Sequence, residues 1–203
     1  MTDSLAQHYL EDAITTFKGY KDLAEKALAQ TSDEEFFQAL DEEANSIAVI
    51  IKHISGNMLS RWTDFLTTDG EKPSRQRDME FVITEQTGRD ELMRQWERGW
   101  RCLFDAIEPL RPEDFEKKVF IRGREHTIVE AINRQLTHYA YHIGQIVFLA
   151  KHFRSAEWKS LSIPRNKSVE FNAYLAERRE SAARDNRFQA PTDFIRESET
   201  KKQ

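Results

Sequence analysis

The sequence contains few of the residues that build disulfide frameworks, cysteine zinc sites or turn-rich folds. Among its 203 residues are one cysteine, seven glycines and five prolines. A lone thiol, Cys102, excludes both an intrachain disulfide and a zinc site made of cysteines. Because its neighbours in "WRCLFDAI" are apolar, we interpret it as a buried structural thiol rather than a catalytic one. The low glycine and proline content favours a helix-rich protein.

Long apolar runs and an excess of basic residues are missing as well. Stretches such as "SIAVII" are far shorter than the roughly 20 apolar residues that cross a bilayer, so we expect no membrane partner. The first residues, "MTDSLAQHYLEDA", carry acids where a signal peptide needs a basic start and an apolar stretch, which predicts a cytoplasmic protein. The formal net charge of −5 comes with mixed signs along the chain, so we also expect no nucleic-acid partner.

Apolar residues recur mostly every three to five positions in four segments. This spacing predicts long helices over residues 3–29, about 45–66, 88–110 and about 127–152. The residues expected to face the core are Leu5, Tyr9, Ile14, Phe17, Leu23 and Leu28 in the first helix, Ile47, Ile50, Ile51, Ile54, Met58, Trp62 and Phe65 in the second, Leu92, Trp96, Leu103 and Ile107 in the third, and Ile128, Ile132, Leu136, Tyr139, Ile143, Ile146 and Val147 in the fourth.

Two of the connections between these helices carry clear local signals. Residues 67–88 combine Asp-Gly, Lys-Pro and three basic residues, which is typical of a long irregular loop. Alternation around Arg122 and Gly123 predicts a small hairpin. Thr127, followed three positions later by Glu130, forms a capping box that predicts the start of the fourth helix.

The chain length suits a single domain, which we assign to residues 1–180. Within it, residues 30–46 predict a structured loop or a short helical turn, and "SVEFNAYLAERRE" predicts one more short helix. Residues 181–203 are polar and predict a flexible C-terminal tail. Four long helices predict an all-α fold, and specifically a four-helix bundle with a long loop after the second helix and a hairpin before the fourth.

His138 and His142 lie one helical turn apart in the uncharged stretch "LTHYAYHIGQI". On a helix they share a polar stripe with Gln135 and Gln145, which suits the edge of a cleft between helices. Two imidazoles at this spacing can bind one transition-metal ion. Surface polarity or packing is the alternative for a pair that stands alone.

His53 is a candidate third ligand, because it follows "NSIAVIIK" in a mostly apolar helix where an imidazole needs a partner. Its small neighbours Gly56 and Asn57 leave room for an ion and a substrate. A hydrogen-bonded core histidine is the alternative. Three histidines from two helices would leave coordination positions open, as in catalytic metal sites. The histidines expected at the surface are His8, His126 and His152.

The helix order, with "IIKHISGNMLSRW" in the second helix and "LTHYAYHIGQI" in the fourth, resembles the DinB-like metal-binding four-helix bundle superfamily. The likeness covers about residues 3–155, and "SRWTDFLTTDGEKPSRQRDMEF" is similar to a branch catalogued only as a domain of unknown function. The resemblance implies a divalent metal, usually zinc or nickel, bound here by His53, His138 and His142. Other branches include bacillithiol-dependent S-transferases, mycothiol-dependent isomerases and proteins assigned as metal-dependent hydrolases.

These observations favour a metal-dependent enzyme in which the ion activates a water or a low-molecular-weight thiol, giving a hydrolase or a thiol S-transferase acting on a small molecule. Asn57 and Gln145 are candidates to orient the substrate, and Tyr141 is a candidate donor behind the ligands. Arg75 and Arg77 could attract an anionic thiol, with solvated loop charges as the alternative.

Two rival hypotheses remain open at this stage. The first is a non-catalytic bundle in which a structural or vestigial metal is held and an aromatic-rich surface forms a homodimer. The second is a nucleic-acid damage-response protein, which the acidic net charge disfavours.

Overall fold

The computed structural model describes residues 2–178 and 190–200, which are mostly helical. Within these residues, the helices are α1 (Thr2–Leu28), α2 (Asp33–Phe37), α3 (Ile47–Trp62), α4 (Arg89–Ile107), α5 (Ile128–Arg154), α6 (Ser168–Glu177) and α7 (Ala190–Thr200). The strands are β1 (Lys118–Ile121) and β2 (Arg124–Thr127), and short 3-10 helices cover Arg77–Phe81, Pro112–Glu116 and Ser155–Glu157. The prediction of an all-α fold is confirmed.

Capping side chains determine where several helices begin. The capping box of Thr127 and Glu130 starts α5, as predicted, and Ser46 caps α3 through the backbone N–H of Val49. Helix α3 ends at Trp62, short of the predicted residue 66, and Asp64 two residues later has a left-handed backbone with φ of 48°. A reversal of this kind is incompatible with a continuing right-handed helix.

The four long helices bury their apolar faces against one another. Helix α3 packs on α4 and α5, and α1 packs on α5 and α4. At the centre, the ring of Phe17 contacts the rings of Trp62, Trp100 and Tyr139 at centroid distances of 5.8 to 6.4 Å. All seven apolar residues that define the predicted face of the second helix are buried.

One predicted core residue lies at the surface, and the thiol expected to be buried is only partly so, packed against the core. Leu5 is 73% exposed, because the buried face of α1 follows Leu10, Ala13 and Phe17 and leaves Leu5 on another side of the helix. Cys102 is only half-buried, and its Sγ lies 3.4 Å from the hydroxyl of Thr63.

The predicted hairpin is present and is tied to the loop that follows α3. β1 and β2 pair antiparallel, and Arg122 and Gly123 both have positive φ, as a two-residue hairpin turn of type I′ requires. The carboxylate of Asp69 accepts hydrogen bonds from the backbone N–H groups of Arg122 at 2.8 Å and Gly123 at 2.6 Å. The 3-10 helix Arg77–Phe81 in the same loop packs on α3. The loop is therefore anchored to the hairpin by Asp69 and to α3 by this 3-10 helix.

The C-terminal region contains two further helices. α6 agrees with the predicted short helix, and Phe194 of α7 packs edge-to-face on Phe171 of α6 with ring centroids 5.3 Å apart. Residues 181–189 and 201–203 of the predicted tail lie outside the described residues. Among the residues that are described, none of the helices combines the length and apolar character that crossing a membrane requires.

Candidate metal centre

Helices α3 and α5 bring three histidines into one cluster. The imidazole rings of His53, His138 and His142 contact one another with centroid distances of 4.7 to 5.5 Å. One ring nitrogen of each lies within 4.8 Å of the others, which is close enough for the cluster to hold a metal ion. In the part of the chain that the structure describes, no further histidine, cysteine, aspartate or glutamate joins this group.

His53 is buried, and its Nδ1 atom is occupied by a carboxylate. Nδ1 lies 2.9 Å from Oε2 of Glu80, which belongs to the 3-10 helix Arg77–Phe81. Phe81 covers the imidazole, with ring centroids 4.9 Å apart. An ionised carboxylate only accepts hydrogen bonds, so Nδ1 carries the proton and Nε2 is the nitrogen left to bind a metal.

Arg75 holds the Glu80 carboxylate with two parallel hydrogen bonds, Nε to Oε1 and Nη2 to Oε2, both 2.8 Å long. Burial alone would raise the pKa of Glu80, but the hydrogen bonds from His53 and Arg75 outweigh it and lower that pKa below its ordinary value. The Glu80 carboxylate is therefore ionised at neutral pH. The side chain of Arg75 is only 5% exposed, so its interpretation as a solvated loop charge is wrong.

Gly56 is what allows this carboxylate to lie against α3. A Cβ atom at position 56 would overlap Oε1 of Glu80 and lie 2.8 Å from its Cδ. The space that we expected an ion and a substrate to use at Gly56 is therefore taken by Glu80. Glu80 was absent from the sequence candidates, because a single glutamate 27 positions from His53 in an irregular loop carries no spacing signal.

His142 is oriented from its own helix. Its Nδ1 lies 2.7 Å from Oε1 of Gln145, one turn further along α5. An amide oxygen only accepts, so Nδ1–H donates to Gln145 and Nε2 of His142 is left to bind a metal. Gln145 thus contacts a histidine directly, whereas the sequence suggested a contact with substrate.

The two cluster histidines of α5, His138 and His142, are held in their neutral form. Burial, reinforced by the nearby His142 and His53 rings, lowers the pKa of His138 to about 3. Burial also lowers the pKa of His142, although its hydrogen bond with Gln145 acts in the opposite direction. Neutral imidazole is the form that coordinates metal ions.

Asn57 belongs to a buried hydrogen-bond chain between α3 and α5. Its Oδ1 accepts from the hydroxyl of Tyr139 at 3.2 Å, and that hydroxyl accepts from Nε1 of Trp62 at 3.1 Å. The chain fixes the packing of the two helices that carry the histidines. Tyr141, by contrast, is 63% exposed.

The remaining histidines lie away from the cluster. His8 and His152 are exposed, and His126 is partly exposed in the hairpin, where its Nδ1 lies 2.9 Å from the carbonyl oxygen of Arg124.

A cleft of about 540 Å³ opens beside His53 and His138. This volume is in the range of small-molecule sites.

A mostly helical chain with three histidines close enough to hold an ion defines a candidate metal-binding protein. A family model described as "Protein of unknown function (DUF1572)" matches residues 4–167, and the chain belongs to this family. The matched range contains all three histidines and Glu80. No curated protein and no solved structure matches the chain.

Proposed function

We propose that the protein is a DinB-like four-helix bundle that binds one divalent transition-metal ion, zinc or nickel, through His53, His138 and His142. The observation that carries this proposal is the approach of the three ring nitrogens to within 4.8 Å of one another on two packed helices. The contacts among α1, α3, α4 and α5 and the likeness in helix order support the bundle.

The donor set fits such an ion. Nitrogen ligands of a tetrahedral zinc ion are about 3.4 Å apart, as follows from Zn–N distances near 2.1 Å. Small side-chain rotations of His53, His138 and His142 would close the remaining separation. Glu80 and Gln145 already occupy Nδ1 of two of these rings and leave the opposite nitrogens free to bind an ion.

We further propose that the site is catalytic. Three histidine ligands leave coordination positions open, and metal chemistry at such a site lowers the pKa of a bound water or thiol to give a nucleophile near neutral pH. With water the reaction is hydrolysis of a small-molecule substrate. With a low-molecular-weight thiol it is transfer of that thiol to an electrophile.

The chain's own residues support this chemistry by position and polarity. Glu80 and Gln145 hold the ring tautomers of His53 and His142, and Phe81 excludes water from one side of the His53 ring. The cleft lined by His53 and His138 would give a substrate access to two of the three histidines that would hold the ion. A purely structural metal would favour a fourth protein ligand, and none joins the cluster among residues 2–178 and 190–200.

Elemental analysis of the purified protein tests metal binding directly. We expect about one zinc or nickel ion per chain. The variant His138→Ala should lose at least about 100-fold in metal affinity, since even the loss of a partner behind a ligand costs 10- to 100-fold. His152→Ala on the same helix is the matched control and should bind metal normally. Equal affinity in the two variants would reject the three-histidine site.

Catalysis is tested separately on metal-loaded protein. We expect turnover of activated esters, or transfer of a thiol to an electrophile, that disappears in His138→Ala and persists in His152→Ala. A loaded protein that holds metal but turns over neither class of substrate would favour the structural alternative.

A further inference from the structure

The cleft beside the histidine cluster has a strongly cationic wall. Its lining includes five guanidinium groups, and among the described residues no aspartate or glutamate lines it. This contrasts with the chain as a whole, whose formal net charge is −5. The five arginines are Arg61, Arg75, Arg77, Arg122 and Arg134.

The acidic partners behind this wall are too few to neutralise it. Arg61, Arg75 and Arg122 all form ion pairs with the single carboxylate of Glu71, at 3.1 to 3.3 Å. Arg75 has the further partner Glu80. Two carboxylates, Glu71 and Glu80, shared by three guanidinium groups leave an excess of positive charge facing the cleft.

Two arginines at the mouth are available to a ligand. Arg77 has only a long contact to Asp78, 3.8 Å, and the Asp78 side chain is fully exposed, so this pair is weak. Arg134 is exposed and forms no ion pair within residues 2–178 and 190–200. The guanidinium of Arg77 stacks over Phe81 at 5.0 Å, and Phe81 contacts His53, which places Arg77 near the cluster.

Deeper in the cleft, two buried polar atoms have no partner. Nε of Arg61 and Oε1 of Gln135 make no hydrogen bond, although Arg61 is 6% exposed and Gln135 only 3% exposed. Buried polar atoms are normally paired, and an unpaired donor or acceptor destabilises the structure. A ligand oxygen could accept from Arg61, and a ligand O–H or N–H could donate to Gln135.

We propose that the cleft binds a small anionic substrate through a carboxylate or phosphate group. Arg77 and Arg134 attract the anion at the mouth of the cleft. Inside the cleft, the Nε–H of Arg61 donates a hydrogen bond to one oxygen of the anion. The remainder of the molecule lies beside His53 and His138. The binding of the anion to the cleft is independent of the proposed function. Only the role of this molecule as the substrate of the metal site rests on that function.

Calorimetric titration with three probes tests the inference. Inorganic phosphate, succinate and the neutral analogue succinamide are titrated into metal-loaded wild type, the double variant Arg77→Gln/Arg134→Gln, and the control Arg111→Gln. Arg111 is exposed, its guanidinium makes only a long contact of 4.0 Å with Glu113, and it does not line the cleft. We expect the double variant to bind the anions about tenfold more weakly, the control to match the wild type, and succinamide not to bind.

The metal-free variant His138→Ala separates this inference from the proposed function. Retained anion binding that still depends on Arg77 and Arg134 supports the cationic cleft, even if the purified protein holds no metal. Anion binding that requires metal and is equal in the arginine variants would show coordination to the ion alone and overturn the inference. Absence of anion binding by every form, or equal binding of succinamide, would also overturn it. The stronger of phosphate and succinate identifies the group recognised.

Discussion

The Nδ1 atom of His53 lies 2.9 Å from a carboxylate oxygen of Glu80, so a residue of the loop between α3 and α4 orients a histidine of α3. Glu80 is itself held by two hydrogen bonds from Arg75. The chain from Arg75 through Glu80 to His53 therefore links the shape of the loop to the geometry of the candidate metal centre.

Replacing Glu80 tests the loop's contribution to metal binding. In Glu80→Gln the charged acceptor for His53 is lost, and Arg75 retains only Glu71 as a counter-charge. We expect metal affinity to fall 10- to 100-fold and the free energy of unfolding to fall by about 3 kcal/mol. A chelator competition at a temperature where circular dichroism shows full folding measures the affinity. Glu85 is exposed in the same loop. The control Glu85→Gln should change neither the metal affinity nor the free energy of unfolding.

Two glycine-to-alanine substitutions in helices should act in opposite directions. Gly56→Ala would press its methyl group on the Glu80 carboxylate, so we expect a loss of about 1 to 3 kcal/mol in unfolding free energy together with weaker metal binding. A Cβ at Gly144 meets nothing within 4 Å. Gly144→Ala should therefore stabilise α5 by about 1 kcal/mol and leave metal binding unchanged. Urea unfolding measures both, and a stabilised Gly56→Ala would contradict the close contact.

Replacing Gln145 tests the orientation of the His142 ring, with little expected effect on folding. Gln145→Leu removes the acceptor for Nδ1–H of His142, and we expect metal affinity to fall about tenfold while the melting temperature stays close to that of the wild type. Gln145→Glu restores an acceptor and should restore the affinity. If the leucine variant bound metal as tightly as the wild type, the hydrogen bond to His142 would have no role in coordination.

Asp69 should make the anchoring of the hairpin pH-dependent. Burial raises the pKa of the Asp69 carboxyl, but the hydrogen bonds from the backbone N–H groups of Glu71, Gly123 and Arg122 together outweigh burial and lower this pKa below its ordinary value. A carboxyl whose pKa is lower in the folded state stabilises fully above its unfolded pKa, near 3.9, and loses that contribution as pH falls through the folded value.

Asp69→Asn keeps one acceptor oxygen and loses the charge, so it should lower the unfolding free energy at pH 7 by about 1 to 2 kcal/mol. The difference from the wild type should shrink below about pH 4. Urea titrations of both proteins at pH 7, 5 and 3.5 measure this difference. Asp105→Asn, at an exposed position of α4, is the control. A difference that stayed constant with pH would contradict the charged anchor.

Much of the helical structure could be predicted, because its signals are local. The apolar spacing from Ile47 to Phe65 identified a face that is buried throughout, and Thr127 with Glu130 marked the start of α5. Where local signals mislead, the predictions are wrong. Leu5 matches the helical spacing yet lies outside the buried face. Helix α3 ends before the left-handed Asp64, although the apolar pattern of the sequence continues beyond that residue.

By itself the sequence determined the helices, the hairpin and the three histidines as candidates, since these depend on residues a few positions apart or on side-chain chemistry. Only the tertiary structure decided which groups surround the histidines. Glu80, Arg75 and the unpaired atoms of Arg61 and Gln135 reach the cluster or its cleft because the loop folds back on α3 and α5 packs beside it. Contacts between segments distant in sequence leave no period in the chain, so packing alone brings them together.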